Sequence, residues 1–121
     1  MKRTLMQVYV KGSDKALAVY KEAFGAEVVA EYKHDDGTYM HAELFVHGQI
    51  IAVSEATEPM VVGNTMQFCL HYGEGHEAEI ERAYAMLKVG GDVISPPGAC
   101  SFSPLMACVI DRFGVNWCLF I

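Results

Sequence analysis

Residues 15–29, KALAVYKEAFGAEVV, lie over residues 80–94, IERAYAMLKVGGDVI, without a gap and at an offset of 65. Few letters are identical, but three features coincide. Each segment has an apolar stripe at helical spacing, a glycine able to end the helix, and a strand-like run after it. Met40-His41-Ala42 falls over Leu105-Met106-Ala107 at the same offset. One extra residue in the second turn brings Gly48 onto Gly114, and hence Ala52 onto Cys118. A chain with this pattern must build the same supersecondary unit twice.

The unit can be read element by element. Residues 5–10 alternate as a strand, and Ser13 is positioned to cap a helix carrying Ala16, Leu17, Tyr20, Ala23 and Phe24 on one side. Gly25 suits its C-terminal cap. Strands are expected at 27–33, 39–46 and 50–54, separated by HDDGT and HG turns. After EATEPMVVGN the order repeats: strand 66–72, helix 79–88 closed by Gly90 and Gly91, then strands 92–95, 105–110 and 116–120. The expectation is an α+β fold of two βαβββ modules, module 1 at about 1–56, a linker at 57–64 and module 2 at about 65–121. They form a single domain over 1–121, because neither half alone buries an adequate core.

Alternation assigns the faces. Val8, Val10, Ala42, Leu44, Ile51 and Val53 share one face in the first half; Phe68, Leu70, Val115, Trp117 and Leu119 share one in the second. These apolar faces suit the helix stripes. The opposite faces mix Gln7, His41, Glu43, Ala52 and Ser54 in the first half with Gln67, Cys69, His71, Asn116, Cys118 and Phe120 in the second. Such a mixture fits the wall of a partly wet cleft, or the solvated side of an ordinary antiparallel sheet.

The formal charge of −6, with cations scattered singly, offers no basic face for nucleic acid. The N-terminal MKRTLMQVYVKG has too short an apolar run for a signal sequence, and nothing approaches a membrane span. Cysteines at 69, 100, 108 and 118 form no CxxC pair and read as reduced thiols of a cytoplasmic protein, three of them acting as small hydrophobes.

YKEAFGAEVVAEY (20–32), HDDGTYMHAELFVHG (34–48) and DRFGVNW (111–117) together resemble the PhnB-like branch of the vicinal oxygen chelate superfamily, which includes glyoxalase, bleomycin-resistance and dioxygenase proteins. The resemblance covers almost the whole chain. It implies an incomplete, antiparallel-rich barrel with helices outside, and commonly a homodimer, for which PMVVG (59–63) offers an apolar stretch. Enzymes of the superfamily hold a divalent metal on His, Gln or Glu from the first and last strands of each module. Residue by residue those positions are Leu5, Ala52, Gln67 and Cys118 here, a set too poor in donors to keep a cation. Sliding the fourth strand by three places would instead bring Glu55 to the Ala52 position. The methyltransferase label attached to this branch lacks support, since no glycine-rich strand-to-helix turn is present to cradle a nucleotide-like cofactor.

The leading expectation is therefore a small-molecule-binding protein without metal or other cofactor, its cleft lined by Gln7, His41, Glu43, Gln67, His71, Asn116 and Cys118. The alternative is a metal-dependent isomerase, lyase or dioxygenase using His41, Glu43 and His71, with a divalent ion as Lewis acid. A third reading is an interaction protein whose mixed faces are covered by a partner chain. Glu43 beside His41 could act as a general base, and Cys118 beside His71 as a nucleophile. The proline-rich segment 95–104 is long for a hairpin and reads as a lid over the cleft or an irregular edge.

Overall fold

The alternation of apolar residues with period two, broken once per half by a helical stripe, produces β1 (Met6–Val10), α1 (Ser13–Phe24), β2 (Glu27–Lys33), β3 (Tyr39–Val46) and β4 (Gln49–Glu55), then β5 (Phe68–His71), α2 (Glu77–Leu87), β6 (Asp92–Gly98), β7 (Met106–Ile110) and β8 (Asn116–Phe120). The computed structural model describes all 121 residues. They fall into two compact units, Met1–Val61 and Val62–Ile121. Each unit holds one helix and one four-stranded mixed sheet, ordered β1-β4-β3-β2 in the first and β5-β8-β7-β6 in the second. The expected α+β fold of two βαβββ modules is what the chain adopts.

In each unit the last strand returns beside the first and runs parallel to it, Gln7 opposite Ala52 and Cys69 opposite Cys118. The other pairings are antiparallel. Gly48 (φ 76°) and Gly114 (φ 88°) turn the two final hairpins in the left-handed region. That supports the alignment that placed one over the other.

In the first unit α1 lays Ala16, Leu17, Tyr20, Ala23 and Phe24 on a sheet face made of Val8, Val10, Ala42, Leu44, Ile51 and Val53, all buried. Ser13 does not cap this helix. Gly12 occupies the cap in the left-handed region, and the carboxylate of Glu55, at the end of β4, accepts hydrogen bonds from the N–H groups of Gly12 (3.1 Å) and Ser13 (2.8 Å). A carboxylate at a helix N-terminus satisfies orphan donors and the helix dipole together. Burial raises the Glu55 pKa, but the Ser13 and Gly12 donors outweigh it and the net shift is downward. Ser13 is instead the first helical residue; it is fully buried, and its hydroxyl accepts from the Tyr39 N–H at 2.8 Å. The three-place slide of β4 is thereby excluded, since Glu55 is committed to the helix and Ala52 to Gln7.

In the second unit Ile80, Ala83 and Leu87 of α2 cover Trp117, Leu119, Ala107 and Val109, none more than 1 % exposed. The turn that resembled a family signature, DRFGVNW, is built on one buried carboxylate. Asp111 Oδ1 accepts from the N–H groups of Phe113 (2.9 Å) and Val115 (3.0 Å), and Oδ2 accepts from Trp117 Nε1 (2.9 Å). Asp111 therefore fixes both the hairpin and the orientation of the largest core side chain.

Helix α2 begins two residues earlier than the spacing suggested, and β6 runs on through Pro96 and Pro97 to Gly98. Proline is tolerated there because β6 is an edge strand, with register shifts against β7. Four of the ten residues of the segment read as a lid or an irregular edge are thus part of an edge strand. The remainder is anchored through Ser103, whose hydroxyl lies 2.8 Å from the Leu105 carbonyl and 2.6 Å from that of Ile121.

Asp111→Ala should cost about 3 kcal/mol, because two backbone N–H groups and the indole lose a charged acceptor in a buried site. Asp111→Asn, which keeps one acceptor oxygen, should cost less. Urea denaturation midpoints of the three proteins check the order.

Candidate functional site

Helix packing consumes one face of each sheet, so the chemistry of the chain lies on the other. In the first unit β3 sets His41 and Glu43 two residues apart on that open face, and β4 puts Ala52 opposite Glu43. Glu43 is 8 % exposed. Its carboxylate accepts from Arg3 Nη1 (3.1 Å) and Nη2 (2.8 Å), a two-pronged pair, and lies 3.0 Å from His41 Nε2. The Arg3 hydrogen bonds chiefly, then that of His41, hold the Glu43 pKa at about 2 against the opposing effect of burial. A carboxylate so held is anionic throughout the physiological range and a feeble proton acceptor, so Glu43 is a fixed charge and not a general base. Beside this cluster Gln7 Nε2 donates to Ser54 Oγ at 2.8 Å.

In the second unit the open face carries amides, sulfur and aromatic rings. Gln67 Nε2 donates to Asn116 Oδ1 at 3.2 Å, and the same nitrogen lies 3.9 Å from Cys108 Sγ. The thiol of Cys69 donates to Gln67 Oε1 at 3.7 Å. Cys118 stands between Cys69 on β5 and Cys108 on β7. Burial, then hydrogen bonding with Cys108 and the charge it would face from its thiol neighbours, pushes the Cys118 thiol up to about 12. His71 pairs with Phe120, not Cys118, and stacks on its ring with centroids 4.6 Å apart and planes 15° from parallel. Phe102 meets the same ring edge-on at 5.3 Å. The Cys118–His71 nucleophile considered from sequence is therefore not formed, since the thiol is protonated and its neighbours are other thiols.

The residues expected to line a cleft thus assemble in local sets: Gln7 with Ser54, His41 with Glu43, Gln67 with Asn116, His71 with Phe120, and Cys118 with Cys69 and Cys108. Alternation missed Arg3, because it precedes the first strand and has no face to be assigned to. Alternation placed Cys69 on the open face, and there it is exposed, while Cys108 and Cys118 are buried. The side-by-side order of the three cysteines becomes visible only once the register is known.

The four positions that hold the metal in the resembling enzymes do not suit such an ion here. Leu5 and Ala52 carry no lone pair, Gln67 is a neutral amide already bonded to Asn116, and Cys118 offers a soft sulfur donor. An oxygen-seeking octahedral divalent ion would find one weak ligand. In the substitute set Glu43 is already engaged by Arg3 and His41, and His71 stacks on Phe120. No three His, Cys, Asp or Glu side chains are grouped so as to hold a metal ion.

No protein-family profile and no curated protein matches the chain. Solved structures do. Protein PA1353 from Pseudomonas aeruginosa is 23% identical with a TM-score of 0.83, the match covering 99% of this chain and 97% of that one. The PhnB protein from Bacillus cereus is 22% identical with a TM-score of 0.79, covering 99% and 98%. The fosfomycin resistance protein FosX from Listeria monocytogenes is 13% identical with a TM-score of 0.71, covering 98% and 91%. A FosX variant, 15% identical with a TM-score of 0.68 and coverage of 99% and 90%, is complexed with Mn(II) and dihydroxypropylphosphonic acid. At these identities the likeness establishes the fold, and it is the fold that the PhnB-like resemblance implied.

Because the Glu43 pKa falls from 4.5 to about 2 on folding, its stabilisation is complete above pH 4.5 and is lost as the pH drops toward 2. Glu43→Gln should lower stability by about 2 kcal/mol at pH 7, a charge-assisted pair open to solvent on the Arg3 side. The gap between variant and parent should close on acidification. A gap independent of pH in urea denaturation would contradict this account.

Proposed function

We propose that the chain is a PhnB-like member of the vicinal oxygen chelate superfamily that binds a small organic molecule without the catalytic metal. One observation carries the reading: the inherited coordination points hold two hydrocarbon side chains, an engaged amide and a soft thiol, a set that an oxygen-seeking divalent ion does not favour. The open faces nevertheless keep the lining of a recognition site. Gln67 and Asn116 offer a bonded pair of amides at one end of the β5–β8 pair, and the His71, Phe120 and Phe102 rings lie together at its other end. Gln7, His41 and Glu43 bring a hydrogen-bonding and ionic surface on the first sheet. Apolar surface with a few oriented polar groups recognises ligands that carry a ring and one or two hydrogen-bonding substituents. The partner is accordingly an aromatic or amphipathic metabolite or antibiotic.

The same reading makes the protein cytoplasmic, with four free cysteines, and a homodimer. No helix is long and apolar enough to cross a membrane. Support for the dimer comes from the linker, where Val61 is fully exposed and Val62 is 61% exposed.

Protein purified without chelator should contain no stoichiometric Mn, Fe, Ni or Zn by elemental analysis; one tightly held divalent ion per chain would defeat the proposal. In a thermal-shift screen of ring-bearing metabolites at about 100 times their Kd, a true ligand should add about 2.7 kcal/mol, a rise of several degrees in Tm. Gln67→Ala with Asn116→Ala should abolish that rise while leaving the unliganded Tm nearly unchanged. A screen without any stabilising compound would favour a protein partner instead.

Sedimentation at micromolar concentration should give twice the 13.3 kDa chain mass. Val61→Asp with Val62→Asp should shift it toward the monomer, and a parent protein sedimenting only as monomer would refute the dimer.

A further inference from the structure

The sulfur atoms of the second sheet are distributed unevenly. Within β5, β7 and β8 the helix-facing positions are Phe68, Leu70, Ala107, Val109, Trp117 and Leu119, without a sulfur among them. The open face of the same three strands carries Cys69, Met106, Cys108 and Cys118.

The ladder fixes how close they come. Asp111 N donates to Val115 O at 2.9 Å at one end of the β7–β8 pair, and Ile121 N donates to Leu105 O at 3.2 Å at the other. Hydrogen-bonded and non-hydrogen-bonded pairs alternate between those ends. Cys108 and Cys118, directly opposite, therefore form a non-hydrogen-bonded pair, the kind in which side chains approach most closely, with Cβ atoms about 4.5–5.5 Å apart. Met106, two residues from Cys108 on the same face, places its thioether Sδ 3.2 Å from Cys108 Sγ. Two thiols and a thioether thus converge on one spot, partly open to solvent at Met106.

We propose that Cys108, Cys118 and Met106 form a binding site for a soft monovalent cation, Cu(I). Thiolate and thioether donors select Cu(I) over the oxygen-seeking divalent ions, and the polar group bonded to the set, the neutral Gln67 amide 3.9 Å from Cys108 Sγ, gives harder ions little to bind. Binding replaces the two thiol protons with one Cu(I) and changes no oxidation state. Cys69, exposed and hydrogen-bonded to Gln67, flanks Cys118 on the outer strand and is not one of the three donors. The site does not depend on whether the open faces take an organic ligand.

The test uses the full chain, reduced and anaerobic, titrated with Cu(I) held by bicinchoninate. One Cu(I) should transfer per chain, and X-ray absorption should show sulfur as the only near neighbour of the metal. Cys108→Ser and Cys118→Ser should each weaken Cu(I) binding by about a hundredfold or more, and Met106→Leu, a swap of nearly equal volume, by about tenfold, while Cys69→Ser and Cys100→Ser leave it within about threefold. Copper remaining with the chelator, nitrogen or oxygen neighbours in the absorption spectrum, or undiminished binding in Cys108→Ser and Cys118→Ser would each overturn the site. The absorption spectrum of the unaltered protein and the Met106→Leu variant decide the matter even if a serine variant does not fold. The divalent-metal analysis described above is unaffected by either result.

Discussion

The parallel pairing of the first and last strand in each module is the constraint on which the rest depends. It sets Gln7 beside Ala52 and Cys69 beside Cys118, and it forces the intervening segment to cross the sheet as a helix on one side. With a single helix per sheet, only one face can be covered within a module. The other face is left to polar groups, sulfur and rings. A slip of one residue by β1 would turn Gln7 under a helix, and the same slip by β5 would turn Cys69 under one.

Two carboxylates secure that arrangement, one in each unit. Glu55 ties the end of β4 to the start of α1, so the strand that must lie parallel to β1 is fastened to the helix that follows β1. Asp111 ties the last hairpin to Trp117, the bulkiest fully buried side chain. Both are acidic residues whose hydrogen-bonding partners are mostly backbone N–H groups, and both are structural. Glu43 is the third engaged carboxylate, and its partners Arg3 and His41 are side chains, so its charge is offset locally on the open face. Among these three, only Glu43 contributes to a surface that a ligand could meet.

Much of this was legible from pattern alone. Period-two alternation separated Val8 and Val10 from Gln7, and Trp117 and Leu119 from Cys118, because a strand allows only two faces. The repeat located both helices and aligned Gly48 with Gly114 through shared turn geometry. Pairing partners were less accessible: nothing local says that Cys69, Cys108 and Cys118 line up across three strands, or that Arg3 reaches a carboxylate forty residues on. Ser13 misled for a related reason. Serine before a helical stripe is a strong local capping signal, yet a carboxylate from a distant strand took the role, and the serine was left to bind Tyr39. The proline pair in β6 looked like a loop because the sequence does not declare which strand will be an edge.

The two modules share a backbone plan but have drifted into different chemistry. At equivalent places beside the first strand, one sheet has Gln7 and Ala52 with a fixed ion pair nearby, and the other has Cys69 and Cys118 with a third thiol and a thioether. An oxygen-ligated divalent centre drawn from both modules needs matched hard donors in each, and neither supplies them. On the first sheet the polar atoms of Gln7, His41 and Glu43 are already bonded to neighbours, which favours ligands able to add to a preformed network. The second sheet, with polarisable sulfur and stacked rings, favours soft and aromatic partners. The two open faces thus differ in donor hardness, the first carrying oxygen and nitrogen groups and the second adding sulfur.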